Sequence, residues 1–356
     1  MSAPRLEIDL DKLHHNAHTL VARLGARGIS VTGVTKAMMG SPEIAYTLFS
    51  AGVNTLGDSR ISNIETMRLA GAAATMSLIR SPMLSQVERV VRYADISFNS
   101  EPALLRALSN EAQRLNRRHG VVLMVELGDL REGIMPGDLE QSVRELLYLP
   151  NLVLKGLGTN LACRSGVTPD ERNMAELSAL ADTIEAKFGL SLDIVSGGNS
   201  ANLAWALGCR DVGRINNLRL GEAILLGCEP LHRQSIEGLH TDAITLVAEV
   251  IESKVKPSQP WGELGQSAFG TGAPATTDTG HITQAILAIG EQDTDPQGLH
   301  PPDGIKILGA SSDHLIVNTG SCYQPVGSEV RFRPNYSAMV RAMTSPYVEK
   351  VMVERG

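Results

Sequence analysis

Three charged side chains at or near the ends of apolar segments are the first candidates for chemistry. Lys36 closes the apolar segment Val31 to Thr35, and a lysine there is either half of an ion pair or an amine that acts as a base or attacks an aldehyde. Arg219 interrupts the apolar segment Asn217 to Leu220, where a charge is costly unless it has a partner. Arg131 lies in a charged turn and suits an anion or the solvent equally well. Each pattern leaves a structural role open beside a catalytic one.

Two polar turns add binding groups to these charges. The segment Ser196-Gly-Gly-Asn-Ser-Ala201 leads into a helical pattern, and the N–H groups and hydroxyl of such a turn bind phosphate, although an ordinary capped helix has the same pattern. Thr159 and Asn160 form a small polar pair after another apolar segment. An amine, a phosphate-binding turn and an arginine together favour a phosphorylated aldehyde cofactor bound through the lysine, which is pyridoxal phosphate. A sugar-phosphate enzyme is compatible with the same residues.

The elements that position these residues alternate between short apolar segments and helical patterns. This alternation is typical of parallel sheets, and eight such units in about 210 residues favour a closed (β/α)8 barrel over a doubly wound open sheet. Reactive groups of such a barrel lie at the carboxyl ends of its strands. The eight predicted strands are Ile29 to Thr35, Val53 to Leu56, Thr75 to Ile79, Asp95 to Phe98, Val121 to Leu127, Val153 to Gly158, Leu192 to Ser196 and Asn217 to Leu220.

The pattern changes after Pro230. Strand-like segments separated by Gly, Pro and Asp replace the alternation, and no long helix is indicated. We therefore predict a TIM-like barrel domain over residues 1–235 that binds the cofactor, followed by a β-rich C-terminal domain over residues 236–356. The segment Pro257 to Asp278 is rich in Gly, Pro, Ser and Thr, which predicts a surface loop.

Composition limits the classes of function. The chain has 356 residues, of which 43% are hydrophobic, and its formal net charge of −7 provides no basic surplus for nucleic acid or an anionic membrane. It has no apolar run long enough to span a membrane, and its four scattered cysteines form neither a metal motif nor a disulfide pattern. We expect a cytoplasmic protein that acts on a small molecule and has no nucleic-acid or membrane partner.

These residues resemble, in order along nearly the whole chain, the alanine racemase family of pyridoxal-phosphate enzymes, and most of all its ornithine and lysine racemase branch. Lys36, in Val34-Thr-Lys-Ala37, is similar to the lysine that binds the cofactor covalently and moves the Cα proton. Arg131, in Gly128-Asp-Leu-Arg-Glu-Gly133, is similar to an arginine that contacts the cofactor and the substrate carboxylate. The resemblance implies a homodimer in which one barrel and the partner's β-rich domain form each active site.

The resemblance also implies roles for polar residues of both domains. Asn160 stands where the family has a histidine packed against the cofactor ring, and Arg219 stands where an arginine faces the ring nitrogen. Phosphate binding falls to Asn199, Ser200, Gly221, Glu222 and Tyr336. Ser311-Ser-Asp-His314 resembles the family's Ser-Met-Asp segment, so Asp313 is expected to orient active-site groups of the partner subunit. The expected catalytic residues are Lys36, Arg131 and Asp313, and no metal ligand is expected.

Arg219 also separates racemases from decarboxylases of the same fold. A guanidinium stays protonated, so it donates a hydrogen bond to the ring nitrogen without giving up its proton. The ring is then a weaker electron sink, which disfavours a long-lived carbanion. Because barrel-fold decarboxylases resemble one another in having a glutamate at this place, the arginine favours racemisation.

Two departures from the family pattern concern the pocket. Lys36 is followed by Ala37-Met-Met-Gly-Ser41 without the family's tyrosine, which predicts a pocket of different shape and more room. The tyrosine expected from the partner subunit is also missing from Gly262 to Gly270, where Gln266 or Ser267 falls nearest. Racemisation needs a proton acceptor on each face of Cα, so the second base must be another residue or water. The candidates are Asp313, His314, Cys322 and Tyr323.

These features predict a pyridoxal-phosphate-dependent amino-acid racemase. Its substrate is expected to have a longer or basic side chain, as in ornithine and lysine, or its specificity is broad and includes alanine and serine. Glu126, Asp129 and Glu222 are available for a basic group. Three alternatives stay open. A metal-assisted D-amino-acid aldolase or dehydratase has no metal-ligand spacing to support it, and a non-catalytic pyridoxal-phosphate carrier is disfavoured by the second domain. The third is a sugar-phosphate barrel enzyme, which would bind no aldehyde cofactor.

Overall fold

The structure is a computed structural model in which residues 2–266, 269 and 278–353 are described. Strand β1 (Arg5–Asp9) and helix α1 (Leu10–Gly25) open the chain. The chain divides into two compact units, one of residues 12–241 and one of residues 1–11 and 242–356. In the part of the chain that the structure describes, no helix is both long and apolar enough to cross a membrane.

The first unit is a closed barrel of parallel strands, which confirms the predicted fold. Each strand pairs with the next along the chain, and the last pairs with the first. The eight apolar segments of the sequence form these strands in chain order: β2 (Ser30–Val34), β3 (Thr55–Asp58), β4 (Thr75–Leu78), β5 (Ile96–Asn99), β6 (His119–Met124), β7 (Leu152–Gly158), β8 (Ile194–Ser196) and β9 (Asn217–Leu220).

Helices follow the strands, as the parallel connections require. Capping residues define several of their ends: the Ser41 hydroxyl accepts a hydrogen bond at the start of α2, Asp170 forms a capping box at the start of α7, and Gly189 ends α7 with a φ of +62°. The helices of the barrel unit after α1 are α2 (Pro42–Ser50), α3 (Ile61–Leu69), α4 (Val87–Tyr93), α5 (Pro102–Arg114), α6 (Leu139–Leu147), α7 (Glu171–Phe188), α8 (Leu203–Gly208) and α9 (Glu222–Leu226).

Strand register decides which side chains face the inside of the barrel. Arg219 pairs with Thr32 across β9 and β2, and its guanidinium lies 5.0 Å from the centre of the Phe98 ring. Phe98 in turn packs with Val122 and Met124 in a buried apolar cluster. Because alternate residues of a strand point to the same side, the side chains named above pack in the barrel interior, and those of their neighbours along each strand face the helices.

Antiparallel strands build most of the second unit, as the sequence predicts. Its central sheet has the order β12-β15-β10-β11-β14-β13, and β1 pairs antiparallel with β10 and parallel with β16. These elements are β10 (Ile244–Pro257), β11 (His281–Leu287), β12 (Leu299–His300), β13 (Lys306–Ala310), β14 (Leu315–Asn318), β15 (Glu329–Pro334), α10 (Tyr336–Thr344) and β16 (Glu349–Val353).

The second unit differs from the sequence-based expectation in two respects. The N-terminal eleven residues group with it, whereas the predicted barrel domain begins at residue 1 and ends at 235. The cause is the pairing of β1 with β10 and β16, which lie more than 230 residues away in the chain. The unit also contains the nine-residue helix α10, whose first turn is capped by the Asn335 side chain, although the pattern indicates no long helix there.

Candidate active site

Lys36 follows β2 directly, at the carboxyl end of the barrel. It is the first residue of a 3-10 turn, Lys36–Met38, and its side chain is exposed. In the part of the chain that the structure describes, no hydrogen bond or ion pair engages its amine. The amine is therefore available for a ligand. The alternative that Lys36 is half of an ion pair is not supported, because no carboxylate of the described residues pairs with it.

Arg219 is a buried cation near the same end of the barrel, on the strand next to β2. It donates hydrogen bonds to Ser196 Oγ (2.5 Å) and to the Thr159 carbonyl (2.8 Å), and it lies over the Phe98 ring. Among the described residues it forms no ion pair, and none of its hydrogen bonds uses Nε. Burial, together with the nearby charge of Arg131, lowers the pKa of Arg219 to about 10, so the group is protonated at neutral pH.

Asn160 and Asn199 join the ends of β7 and β8 to this arginine. Asn199 Nδ2 donates to Asn160 Oδ1 (3.1 Å) and to the Leu161 carbonyl (2.8 Å). Arg219 also reaches Asn160 Oδ1, at 3.4 Å. The two asparagines, which follow different strands, are thus held together, and Asn160 is oriented by both neighbours.

The turn after β8 has the backbone geometry of a tight cradle. The Asn199 side chain accepts a hydrogen bond from Ala201 N (2.7 Å), and Asn202 Oδ1 accepts one from Asn199 N (3.1 Å). Gly198 has a φ of +142°, and a Cβ added there would lie 2.3 Å from Asn202 Oδ1, so only glycine fits. Ser200 Oγ accepts from Ala223 N (3.2 Å), which ties this turn to the start of α9.

Gly221 connects the cradle to β2, the strand that precedes Lys36. It precedes α9 and lies against β2, because a Cβ on Gly221 would be 3.2 Å from Val34 Cβ. Ser200, Gly221 and Glu222 therefore lie together at the carboxyl ends of β8 and β9. The structure brings these residues together with Lys36 and Arg219 as the barrel predicts.

Arg131 lies in the loop after β6 and pairs through two nitrogens with Glu132. Burial opposes the charge of Arg131, but the hydrogen bond and charge of Glu132, together with the charges of Cys163 and Asp129, outweigh burial and raise the pKa of the guanidinium. The Glu126 carboxylate holds the loop by accepting from Gly128 N (2.6 Å) and Leu130 N (3.0 Å). Sequence reasoning missed Glu132, although its position next to Arg131 is a usable signal.

The three carboxylates that the sequence offers for a basic substrate group all have partners within the barrel unit. Glu126 binds backbone N–H groups of its own loop. Asp129 is buried and accepts from the backbone N–H groups of Arg164 and Ser165, both at 2.9 Å. Glu222 pairs with Arg233. Their side chains stabilise loops and turns, and none has a free carboxylate.

Two further residues that the sequence predicts for the site belong to the β-rich unit. Asp313 lies in the turn between β13 and β14, where Ser312 Oγ (3.0 Å) and His314 Nδ1 (2.9 Å) bond to its Oδ1 and lower its pKa. Tyr336 is the half-buried first residue of α10.

The other candidates for the second base are less defined. Cys322 and Tyr323 are exposed after β14. Gln266 is exposed, and Ser267 lies outside the described residues. Within residues 2–266, 269 and 278–353, no group of three or more His, Cys, Asp or Glu side chains is arranged to hold a metal ion.

Comparison with known proteins identifies the family. The profile of the alanine racemase N-terminal domain matches residues 8–229. An ornithine racemase from Acetoanaerobium sticklandii is 42% identical over 98% of this chain and 99% of its own length. A lysine racemase from Thermotoga maritima is 38% identical, with 99% of each chain covered.

Solved structures agree in fold. An alanine racemase from Clostridium difficile 630 has a TM-score of 0.75 and 21% identity, with 100% of this chain and 97% of that chain covered. A D-threonine aldolase from Filomicrobium marinum has a TM-score of 0.73 and 16% identity, with 96% and 89% covered. At these identities the likeness concerns the fold alone. The profile match and the two full-length relatives show that this chain belongs to the alanine racemase family, in the branch that contains ornithine and lysine racemases.

Proposed function

We propose that the protein is a pyridoxal-phosphate-dependent racemase of basic amino acids, with ornithine and lysine as substrates. The observation that carries this function is that two cations lie at the same end of the barrel. The Lys36 amine is exposed and Arg219 is buried, and among the described residues neither has a carboxylate partner. The two full-length relatives, an ornithine racemase and a lysine racemase, support the substrate class.

The residues of the barrel end fit this cofactor. A neutral ring nitrogen would accept a hydrogen bond from the Nε–H of Arg219, which donates to none of the described residues, and a guanidinium does not transfer its proton to the ring. The phosphate would lie on the cradle at Ser200, where Gly198 and Gly221 allow close approach of the backbone. When bound, the cofactor acidifies the Cα proton of the amino acid attached to it.

The remaining roles follow the family resemblance. Lys36 would bind the cofactor covalently and would move the Cα proton on one face. Arg131 would bind the substrate carboxylate, and Asn160 would lie beside the cofactor ring. Asn199, Ser200, Gly221, Glu222 and Tyr336 would hold the phosphate. Asp313, in the β-rich domain that contributes to the dimer active site, orients groups of the partner subunit.

Direct assay of inversion tests this function. The cofactor-loaded protein is incubated separately with L-ornithine, L-lysine, L-arginine, L-alanine and L-serine in deuterium oxide, and optical inversion and Cα deuterium uptake are followed. We expect inversion of ornithine and lysine, with deuterium in the product. Cleavage or deamination without inversion would instead support an aldolase or dehydratase, and no reaction with any of them would support a carrier.

Glu132 is expected to hold Arg131 ready for the substrate carboxylate. Glu132→Gln removes the charge of the paired carboxylate, so Arg131 becomes more mobile, and KM for ornithine should rise about three- to tenfold while kcat changes less. The matched control is Glu140→Gln, since Glu140 pairs with Arg144 on an outer helix. Equal KM values for the two variants would contradict this role.

Glu222 is expected to be unimportant for substrate choice because its carboxylate pairs with Arg233. Glu222→Gln should leave the ratio of kcat/KM for ornithine to that for alanine within about twofold of the wild-type ratio, as expected for the loss of a partly exposed ion pair. A selective loss of ornithine activity in competition assays would show that this carboxylate binds the basic side chain.

We propose a homodimer, supported by an apolar rim at the carboxyl end of the barrel. Met39, Met83, Leu84, Leu130 and Met135 are exposed large apolar side chains, and they lie in the loops after β2, β4 and β6. Exposed apolar groups that cluster at one end of a domain are typical of a surface covered by a partner. Such a second copy fits the active-site arrangement of the family. We also place the protein in the cytoplasm, the compartment that scattered cysteines favour.

Charging the rim tests the dimer. Leu130→Glu puts a carboxylate into the rim and should shift sedimentation equilibrium from dimer towards monomer, because burying an unpaired charge is costly. Leu69→Glu is the control, since Leu69 is an exposed leucine at the end of α3, outside the rim. A wild-type protein that sediments as a monomer would refute the dimer.

A further inference from the structure

Asp58, the last residue of β3, is a buried carboxylate that the proposed function does not use. Its side chain is 0% exposed, and among the described residues no lysine, arginine or histidine forms an ion pair with it. Three donors satisfy it: Thr35 Oγ1 (2.8 Å) on one oxygen, and Arg60 N (2.8 Å) and Asn63 Nδ2 (3.1 Å) on the other. Burying a carboxylate without a countercharge costs free energy, so we asked which parts of the fold its hydrogen bonds hold in place.

One of these donors fixes the start of the turn that carries Lys36. Thr35 is itself buried and directly precedes the lysine. Its N–H donates to the Gly57 carbonyl (2.9 Å), and its hydroxyl donates to Asp58. Neither φ nor χ1 of Thr35 can change without breaking one of these bonds, so the backbone immediately before Lys36 is held to β3.

A second donor fixes the end of the same turn. Gly40 packs so closely on Asn63 that an added Cβ would lie 2.6 Å from Asn63 Cβ, and Asn63 donates its amide to Asp58. Met39 and Gly40 both have positive φ, at 53° and 65°. A left-handed methionine persists only where the surroundings hold it. The turn from Thr35 to Gly40 is thus anchored to Asp58 at both ends.

We propose that Asp58 is a positioning residue for Lys36: through Thr35 at one end of the turn and through Asn63 and Gly40 at the other, it sets where the lysine amine stands at the barrel end. The inference rests on the proposed function for the catalytic use of that amine, but the positioning itself is a property of the barrel unit alone. Asp58 touches neither substrate nor cofactor in this role.

The central test changes the Thr35 hydroxyl, because Asp58 variants risk misfolding. Thr35→Val removes the hydrogen bond to Asp58 at nearly constant side-chain volume, whereas Thr35→Ser keeps a hydroxyl that can donate it. The matched control is Thr47→Val, since Thr47 is also buried and its hydroxyl bonds to the Glu43 carbonyl (2.9 Å) within α2. Asp58→Asn is the second variant, which keeps the size of the side chain and loses the charge.

Two readouts separate positioning from general stability. Competitive acetylation of the cofactor-free protein, followed by mass spectrometry of the Lys36 peptide, reports the surroundings of the amine without any activity. We expect a several-fold change in Lys36 acetylation relative to Lys155 in Thr35→Val and Asp58→Asn, a wild-type value in Thr35→Ser, and no change in Thr47→Val. In the loaded enzyme, kcat should fall about tenfold in Thr35→Val with KM for ornithine within about twofold, because misplacing a reacting group lowers the rate more than substrate binding.

The outcomes distinguish this inference from the proposed function. Wild-type Lys36 acetylation in both Thr35→Val and Asp58→Asn would overturn the positioning role, whatever the activity. The same holds if Thr47→Val changes Lys36 acetylation and kcat as much as Thr35→Val does, since the effect would then be general destabilisation. If wild-type protein fails to racemise any amino acid while the acetylation pattern is as expected, the proposed function fails and the positioning of Lys36 stands.

Discussion

Replacing Lys36 with alanine is expected to abolish covalent cofactor attachment and racemase activity together. The amine has no structural partner among the described residues, so its loss should not destabilise the fold, whereas the chemistry loses its attachment point and one proton carrier. We expect kcat to fall on the order of a thousandfold or more. Absorbance of the bound cofactor, borohydride trapping and inversion of L-ornithine measure the three consequences.

Lys155→Ala provides the matched control for this substitution. Lys155 is a partly exposed lysine in the middle of barrel strand β7, where it pairs with Asp193. This variant should keep the cofactor and nearly all activity. Persistence of trapped cofactor and inversion in Lys36→Ala would assign the attachment to another lysine and remove the basis of the proposed function.

Replacing Arg219 with glutamate is expected to have the second largest effect. The guanidinium is buried with Ser196, Thr159 and Phe98 around it, and no carboxylate of the described residues pairs with it. A carboxylic acid at this place can give a proton to the cofactor ring, which strengthens the electron sink and prolongs the carbanion. Racemisation of ornithine should fall by on the order of a hundredfold, while side reactions such as transamination rise relative to inversion.

Arg219→Lys separates the charge from the shape of this group. A lysine keeps the positive charge but has no planar fork to bond Ser196 and Thr159 at once, so an intermediate loss of racemisation is expected without more side reaction. The ratio of keto acid to D-ornithine formed per hour gives the comparison. A low ratio in Arg219→Glu, equal to wild type, would show that the ring nitrogen does not control the reaction.

Local patterns in the sequence were sufficient to predict the barrel and several of the residues that lie at its carboxyl end. Apolar segments such as Thr75 to Ile79 and Asn217 to Leu220 become strands because buried parallel strands need continuous apolar residues. Lys36, Asn160 and Ser200 fall at strand ends, and closure of a parallel barrel brings all strand ends together without further information. This is why residues far apart in the chain were expected in one place.

Other features depend on contacts that no local pattern contains. The position of β1 in the β-rich unit depends on hydrogen bonds to β10 and β16, whose register is set only in the folded chain. The Glu222 carboxylate forms an ion pair with Arg233, and the Glu126 carboxylate accepts hydrogen bonds from N–H groups of its own loop. The sequence does not show which cation or hydrogen-bond donor a given carboxylate contacts, because that partner is set by the tertiary structure.

The sequence by itself thus determined the barrel, the identity of the lysine and arginine at its carboxyl end, and the family. Only the tertiary structure decided that, among the described residues, the Lys36 amine has no partner and the buried Arg219 has no carboxylate partner. It also decided that Asp58 accepts hydrogen bonds from Thr35 and Asn63 beside the lysine turn. The physical reason is range: apolar periodicity and strand order are local properties, whereas burial, ion pairing and hydrogen-bond partners depend on groups that only the folded chain brings within about 3 Å.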